Sequence, residues 1–253
     1  MKADKAARIY ADPQAVRPVK HQGRHYQVHG VGLTAPSRQR TPVLYQAGTS
    51  DRGLRFAARH AEAVFLSGNR PELVKESVTA LRQAAVDAGR RPEDLKIVLG
   101  VTVVPGATAA EAQDKHDDYR RHANPEAGLA HFSASTGIDF AKFELDEPIP
   151  YGPTDSIQSA VATAKRLGFT RRKLIEQYTL GGRYPAIVGD AVQVADELQR
   201  WVDDTGVDGF NLTRTVVPES FEDFIDIVVP ELQHRGLHKT AYTPGSLRHK
   251  LFG

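Results

Sequence analysis

The chain has 253 residues, of which 40% are hydrophobic and 25% charged, and its formal net charge is +2. This length allows a well-buried core, and the absence of cysteine excludes disulfides, thiolate metal ligands and cysteine nucleophiles. The near-neutral charge and short basic runs argue against nucleic-acid binding. No apolar run reaches the roughly 18–20 residues of a membrane span, and no apolar stretch follows the N-terminus. We therefore expect a cytoplasmic protein with no membrane or nucleic-acid partner.

Residues 1–41 form an irregular lead-in, in which the alternation from His25 to Val28 predicts a short hairpin strand. His21, His25 and His29 recur at every fourth position of this segment. On a strand they would share one face, but at about 3.3 Å per residue they are too far apart to bind one ion. We therefore predict no metal site.

From Pro42 onward, short apolar runs alternate with helical patterns, which is typical of a parallel α/β sheet. The four main strands are predicted at 43–46, 63–66, 95–104 and 207–212, with a short extra strand at 186–189. Helical spacing occurs after Leu54 and over about 71–88, 108–122, 190–201 and 219–235. One domain is expected over 1–253, with β/α units at 42–123 and 186–236, an insertion of two helices at 124–185 and a tail at 237–253.

A loop with phosphate-binding character joins the first main strand to the first helix. Gly48 permits close backbone approach, and Thr49 and Ser50 add hydroxyl donors where the free N–H groups of a helix N-terminus favour an anion. An ordinary Ser or Thr helix cap explains the same residues. Spacing alone leaves both interpretations open.

Few other residues are candidates for a functional site. Asn211 lies near the end of the last strand, where parallel α/β proteins bind ligands. Asp139, Glu144, Asp146 and Glu147 cluster in the insertion, where we expect turn and capping roles. No arrangement of residues identifies a catalytic group.

Several motifs in order resemble the bacterial luciferase-like monooxygenases that use flavin. The likeness is strongest to the group of nitrilotriacetate monooxygenase component A, dibenzothiophene-sulfone monooxygenase and long-chain alkane monooxygenase. The matching segments are 46–50, 57–65, 136–139, 188–190, 194–198, 208–212 and 229–236, with 10–13 and 21–23 upstream.

The resemblance implies a TIM-type (β/α)8 barrel of which this chain supplies about the last four β/α units. It also implies that reduced FMN, supplied by a separate NAD(P)H:flavin reductase, reacts with O2 and oxygenates a small organic substrate. Gly48, Thr49 and Ser50 match the loop that contacts the FMN phosphate in the family. His131 is a candidate base, and residues 132–138 are expected to form part of a lid.

Since members of the family carry a long region before this stretch, the resemblance implies a complementary N-terminal half or a homo-oligomeric partner. A non-catalytic half-barrel that binds flavin or phosphate, or serves in assembly, is the alternative. A third possibility is an α/β protein that binds another phosphorylated ligand at Thr49 and Ser50.

Overall fold

A computed structural model describes residues 2–32, 34–37, 39–47, 50–150, 158–180 and 182–252, without the side chains of 158–160 and 163. The chain divides into two compact units, with the boundary between Pro42 and Val43. None of the helices in the described part of the chain has the length and apolar character of a bilayer span.

The first unit contains an antiparallel hairpin formed by β1 (Val19–Gln22) and β2 (Gln27–Gly30), which places a strand where one was predicted. The expectation that the three histidines share a face is wrong. His21 is paired with Val28, the neighbour of His29, and adjacent residues of a strand point to opposite faces. His21 and His29 therefore lie on opposite faces of the hairpin.

The second unit contains one parallel sheet and the helices that flank it. The strands are β3 (Tyr45–Gln46), β4 (Ala63–Leu66), β5 (Lys96–Pro105), β6 (Ala186–Gly189) and β7 (Gly209–Thr213). The helices before the insertion are α1 (Asp51–His60), α2 (Pro71–Asp87) and α3 (Ala109–His122). Those of the insertion are α4 (Pro125–Thr136), α5 (Gln158–Arg166) and α6 (Arg171–Tyr178). The helices after it are α7 (Ala191–Thr205), α8 (Glu219–Asp223), α9 (Val229–His234) and α10 (Leu247–Phe252), with a π-helical segment, Phe224–Val228, joining α8 to α9.

The long strand β5 organises the sheet. Leu99 pairs with both β4 and β7, so these two strands lie on opposite edges of β5. Thr102 pairs with both β6 and β7, so β6 lies on the same edge as β4, further along. Four parallel strands thus lie side by side in the order β3, β4, β5, β7, and β6 extends the β4 side.

The main core lies between this sheet and its helices. Alternate residues of β5 face the helices, and each is at most 3% exposed: Ile97, Leu99, Val101 and Val103. Burial of each such side chain stabilises the fold by about 1.5–3 kcal/mol. From α7, Trp201 completes this core as predicted, and its indole N–H donates to Glu197. The other face of β5 carries Gly100 and Thr102.

The insertion has a small core of its own, formed by Leu129, Phe132, Phe140, Ile149, Ala164, Phe169 and Leu174. The sequence predicts two helices here, but the described residues contain three longer than one turn. The expected capping role is found at Asp139, whereas the ion pair of Asp146 was not predicted. Asp139 caps a short 3-10 helix, and Asp146 pairs with Arg172.

The amino-terminal edge of the sheet is closed by side chains. Asp208, just before β7, accepts hydrogen bonds from the Ile97 amide and from Arg82, both at 2.7 Å. Glu62, just before β4, accepts from the Leu44 amide at 3.0 Å and forms a two-point ion pair with Arg248 of α10. The C-terminal tail is therefore held against the start of the sheet.

Candidate functional site

A cavity of about 560 Å³ lies at the carboxyl ends of β5 and β7. On the strands, the hydroxyl groups of Thr102 and Thr213 lie 2.6 Å apart and share a hydrogen bond. The remaining lining residues come from α4, from α6 with the segment after it, and from the loop after β7: Gly128, His131, Tyr178, Leu180, Arg183, Tyr184, Arg214 and Thr215. The site thus joins the edge of the sheet where parallel α/β proteins bind ligands to the insertion.

The insertion helices approach closely on one side of the cavity. A Cβ at Gly128 would lie 2.5 Å from the carbonyl oxygen of Tyr178, so only glycine allows this spacing. The Tyr178 ring stacks on Phe132 at 4.3 Å between centroids. Burial raises the pKa of the Tyr178 hydroxyl, with a smaller opposite effect from the Arg183 cation. Tyr178 is therefore protonated at neutral pH and presents a hydrogen-bond donor.

Tyr184 fills the gap that Gly100 leaves in the inner face of the sheet. A Cβ at Gly100 would meet the ring atoms of Tyr184 at 2.2–2.3 Å, so the ring lies directly on the β5 backbone. The ring of Phe65 on β4 meets Tyr184 edge to face, with 6.1 Å between centroids. Tyr184 thus forms one wall of the cavity.

The cavity is positively charged. Arg183 and Arg214 line it, and none of the lining residues in the described part of the chain is a carboxylate. In the described part of the chain, Nη2 of Arg183 is buried without a hydrogen-bond partner. A buried guanidinium nitrogen lacking an acceptor is costly, so this site favours a ligand with an anionic or carbonyl oxygen.

Ser50 begins α1 shortly after the end of β3, on the same carboxyl edge of the sheet. Its hydroxyl oxygen accepts a hydrogen bond from the Gly53 amide at 3.2 Å, which makes it the N-cap of the helix. The hydroxyl hydrogen is still able to donate to an anion. Gly48 and Thr49 lie outside the described residues.

Of the other residues predicted from the sequence, some line the cavity and others do not. His131 is exposed on α4 and lines the cavity. Asn211 is exposed on β7, but the lining residue of that strand is Thr213. Phe132, expected in a lid, is 1% exposed and packs into the small core of the insertion. No three His, Asp or Glu side chains among the described residues are placed to hold a metal ion.

Sequence reasoning missed Arg183, Tyr184 and Arg214. The sequence does contain one indication of Arg214. Thr213, Arg214 and Thr215 are polar residues that follow the last predicted parallel strand, at the end where such strands bind ligands. Arg183 and Tyr184 follow an insertion helix, and nothing in their spacing links them to β5.

Comparison with known proteins adds to this description. The sequence model of the family described as luciferase-like monooxygenase matches residues 8–209. The chain is 43% identical to the dimethyl-sulfide monooxygenase of Hyphomicrobium sulfonivorans, with 100% of this chain and 54% of the relative covered. It is 40% identical to the long-chain alkane monooxygenase of Geobacillus thermodenitrificans, with 97% of this chain and 52% of the relative covered.

Solved structures agree with these matches. The crystal structure of DmoA from Hyphomicrobium sulfonivorans superposes with a TM-score of 0.82 at 44% identity, covering 99% of this chain and 54% of that one. The crystal structure of a riboflavin lyase with modified FMN and riboflavin superposes with a TM-score of 0.85 at 34% identity. The match covers 98% of this chain and 55% of that one. The chain spans about half the length of the relatives it matches. These likenesses confirm the expected α/β TIM-barrel class of fold, while the assignment of this chain to the last four β/α units stays a prediction.

Proposed function

Because the chain belongs to the luciferase-like monooxygenase family, we propose that it is the carboxyl-terminal half of a two-component monooxygenase that uses reduced FMN and O2. Its substrate is a small organic molecule, as the names of its relatives suggest for those proteins. The observation that carries the proposal is the cationic cavity at the carboxyl edge of the sheet, on the same edge as the Ser50 cap.

Ser50 fits the phosphate end of FMN. Its hydroxyl hydrogen and the amides of Asp51 and Arg52 are donors at a helix N-terminus, where the helix dipole favours a negative charge. The neighbouring Gly48 and Thr49 complete the proposed phosphate loop. In this proposal the loop fixes the position of the cofactor and takes no part in proton transfer.

Bound reduced FMN would supply the activation of O2 for oxygen transfer. The residues of the cavity orient the substrate and exclude water. Tyr178 donates a hydrogen bond through a hydroxyl that stays protonated, and Tyr184 limits the volume on the β5 side. His131 is the candidate base, because it lines the cavity from α4 and an imidazole ring nitrogen can accept a proton.

The proposal includes two partners. A separate NAD(P)H:flavin reductase supplies the reduced FMN. A complementary N-terminal half supplies strands that pair with the outer edges of β3 and β7, which have no strand partner among the described residues.

The test is NADH-driven oxygenation with an added flavin reductase. We expect activity when the chain is combined with a matching N-terminal half, for example the first half of the dimethyl-sulfide monooxygenase of Hyphomicrobium sulfonivorans. The His131→Ala variant of the combined protein should lose most of the activity but keep FMN binding. A combined protein that binds FMN and forms no oxygenated product would contradict the proposed function.

The two open strand edges favour one second candidate, a non-catalytic half-barrel that serves in assembly. In that case the chain associates with itself or with another half-barrel and binds flavin or phosphate without turnover. Analytical ultracentrifugation separates the two cases, since an assembly module forms a defined oligomer alone, whereas the half-enzyme forms one with its complementary half.

A further inference from the structure

The outer face of α1 carries a row of basic side chains around one aromatic ring. All five members of this α1 basic face are exposed: Arg52, Arg55, Phe56, Arg59 and His60. Their spacing of three and four residues places them on one side of the helix. The opposite side packs on the core through Ala57 and Ala58, which are at most 1% exposed. The face therefore points away from the sheet, and completion of the barrel would not bury it in the barrel interior.

The three arginines of this face have no ion pair and no side-chain hydrogen bond within the described ranges of the chain. Several exposed arginines on other helices of the same unit are paired with carboxylates, although Arg120 of α3 has no such pair among the described residues. Arg166 contacts Glu76 at 2.9 Å, and Arg172 contacts Asp146 at 2.8 Å. The α1 basic face thus differs from the ordinary charged surface of this protein.

Helix stability does not account for the arrangement. Arg59 and His60 lie in the last turn, where a cation favours the helix dipole, but Arg52 lies in the first turn, where it does not. Arg52, Arg55 and Arg59 are also three and four residues apart, so their like charges repel. Carboxylates supplied from outside the chain would relieve both effects.

We propose that the α1 basic face docks an acidic segment of a partner protein. The ring of Phe56 is 56% exposed and contacts the His60 imidazole, with 4.8 Å between ring centroids, and Arg and aromatic residues are enriched at protein interfaces. The row spans roughly 10 Å at 1.5 Å per residue, too short for the sustained stripe of a nucleic-acid site. With one large apolar residue, the face lacks the broad apolar surface of a membrane-binding helix.

The test measures binding of the 253-residue chain to a 20-residue helical peptide with Glu along one side and Leu beside it. The R55E/R59E variant is compared with R17E/R24E, which reverses two exposed arginines of the first unit. Arg52 is kept because it adjoins the proposed phosphate loop. We expect R55E/R59E to weaken binding at least tenfold and R17E/R24E less than twofold, with weaker binding at higher salt.

Three probes define the competing outcomes: the same peptide with Gln for Glu, a 20-nucleotide single strand, and vesicles of phosphatidylserine and phosphatidylcholine. Equal binding by R55E/R59E and the parent chain, or no binding of the acidic peptide, overturns the proposal. Tighter binding of the nucleotide strand or the vesicles, with the same dependence on Arg55 and Arg59, also overturns it. The R55Q/R59Q variant replaces R55E/R59E if circular dichroism shows that the latter is unfolded. FMN titration is independent of this result, so the proposed function can fail while the docking proposal stands.

Discussion

The two ends of the same sheet differ in how their polar groups are used. At the amino-terminal edge, Asp208 and Glu62 each hold a backbone amide and an arginine, so the polar groups there satisfy one another. At the carboxyl edge, Arg183 and Arg214 line a cavity to which the described residues contribute no carboxylate. Satisfied groups stabilise a fold, whereas unsatisfied ones favour a ligand. We therefore expect substitutions at the amino-terminal edge to lower stability and substitutions at the carboxyl edge to affect ligand binding.

The largest expected effect concerns the amino-terminal edge. Asp208→Ala should lower the free energy of unfolding by about 2–3 kcal/mol, because it leaves the Ile97 amide without its acceptor and Arg82 without its counter-charge. Urea unfolding measures this, with Asp204→Ala on the exposed side of α7 as the control. FMN affinity should not change. If Asp208→Ala lost FMN binding and kept its stability, the amino-terminal edge would not have the stabilising role that we expect.

The second prediction concerns the wall of the cavity. Gly100→Ala should destabilise the protein by about 1–3 kcal/mol, because the new methyl group overlaps the ring of Tyr184. In a Tyr184→Ala background the same substitution should be neutral or slightly stabilising, since alanine suits a strand better than glycine. Urea unfolding of the two single variants and the double variant gives the coupling between the sites. Additive effects would show that the ring is free to move away.

The third prediction concerns the phosphate loop. Ser50→Ala should weaken FMN binding about tenfold, because a hydrogen bond from a hydroxyl to a charged phosphate is lost. Fluorescence titration measures the affinity. Thr170→Ala removes the N-cap of α6, which makes it a matched control for the loss of a cap. An unchanged titration with Ser50→Ala would remove the phosphate role.

The smallest expected effect is the pH dependence of the tail contact. The hydrogen bond from Arg248 holds the pKa of the Glu62 carboxyl below its usual value of 4.5. A carboxyl whose pKa is lowered on folding stabilises the protein above its unfolded pKa, and this stabilisation is lost as the pH falls through the folded pKa. Arg248→Ala should lower the free energy of unfolding at pH 7 by a small amount, as expected for a solvent-accessible ion pair, and by less at pH 3. A cost that is the same at both pH values would contradict the ionic role of Glu62.

Local patterns in the sequence predicted much of the fold. The alternation of apolar runs and helical spacing predicted β4, β5 and α2 within one or two residues, because buried parallel strands and amphipathic helices have distinct periods. The insertion was less predictable. Its helix α4 contains Gly128, and its small core forms only when three separate segments meet, so no single stretch shows a clear period.

The sequence by itself determined the class of fold and the family resemblance, since each depends on patterns along the chain, and it left open whether Ser50 caps a helix or binds a phosphate. It also suggested His131 as a member of the site. Only the tertiary structure decided that Tyr184 lies on Gly100 and that Arg183, Arg214 and Tyr178 line one cavity. These groups come from elements more than a hundred residues apart, and their distances depend on how the insertion packs on the sheet. The pairing of Asp208 with Ile97 and of Glu62 with Arg248 was decided in the same way.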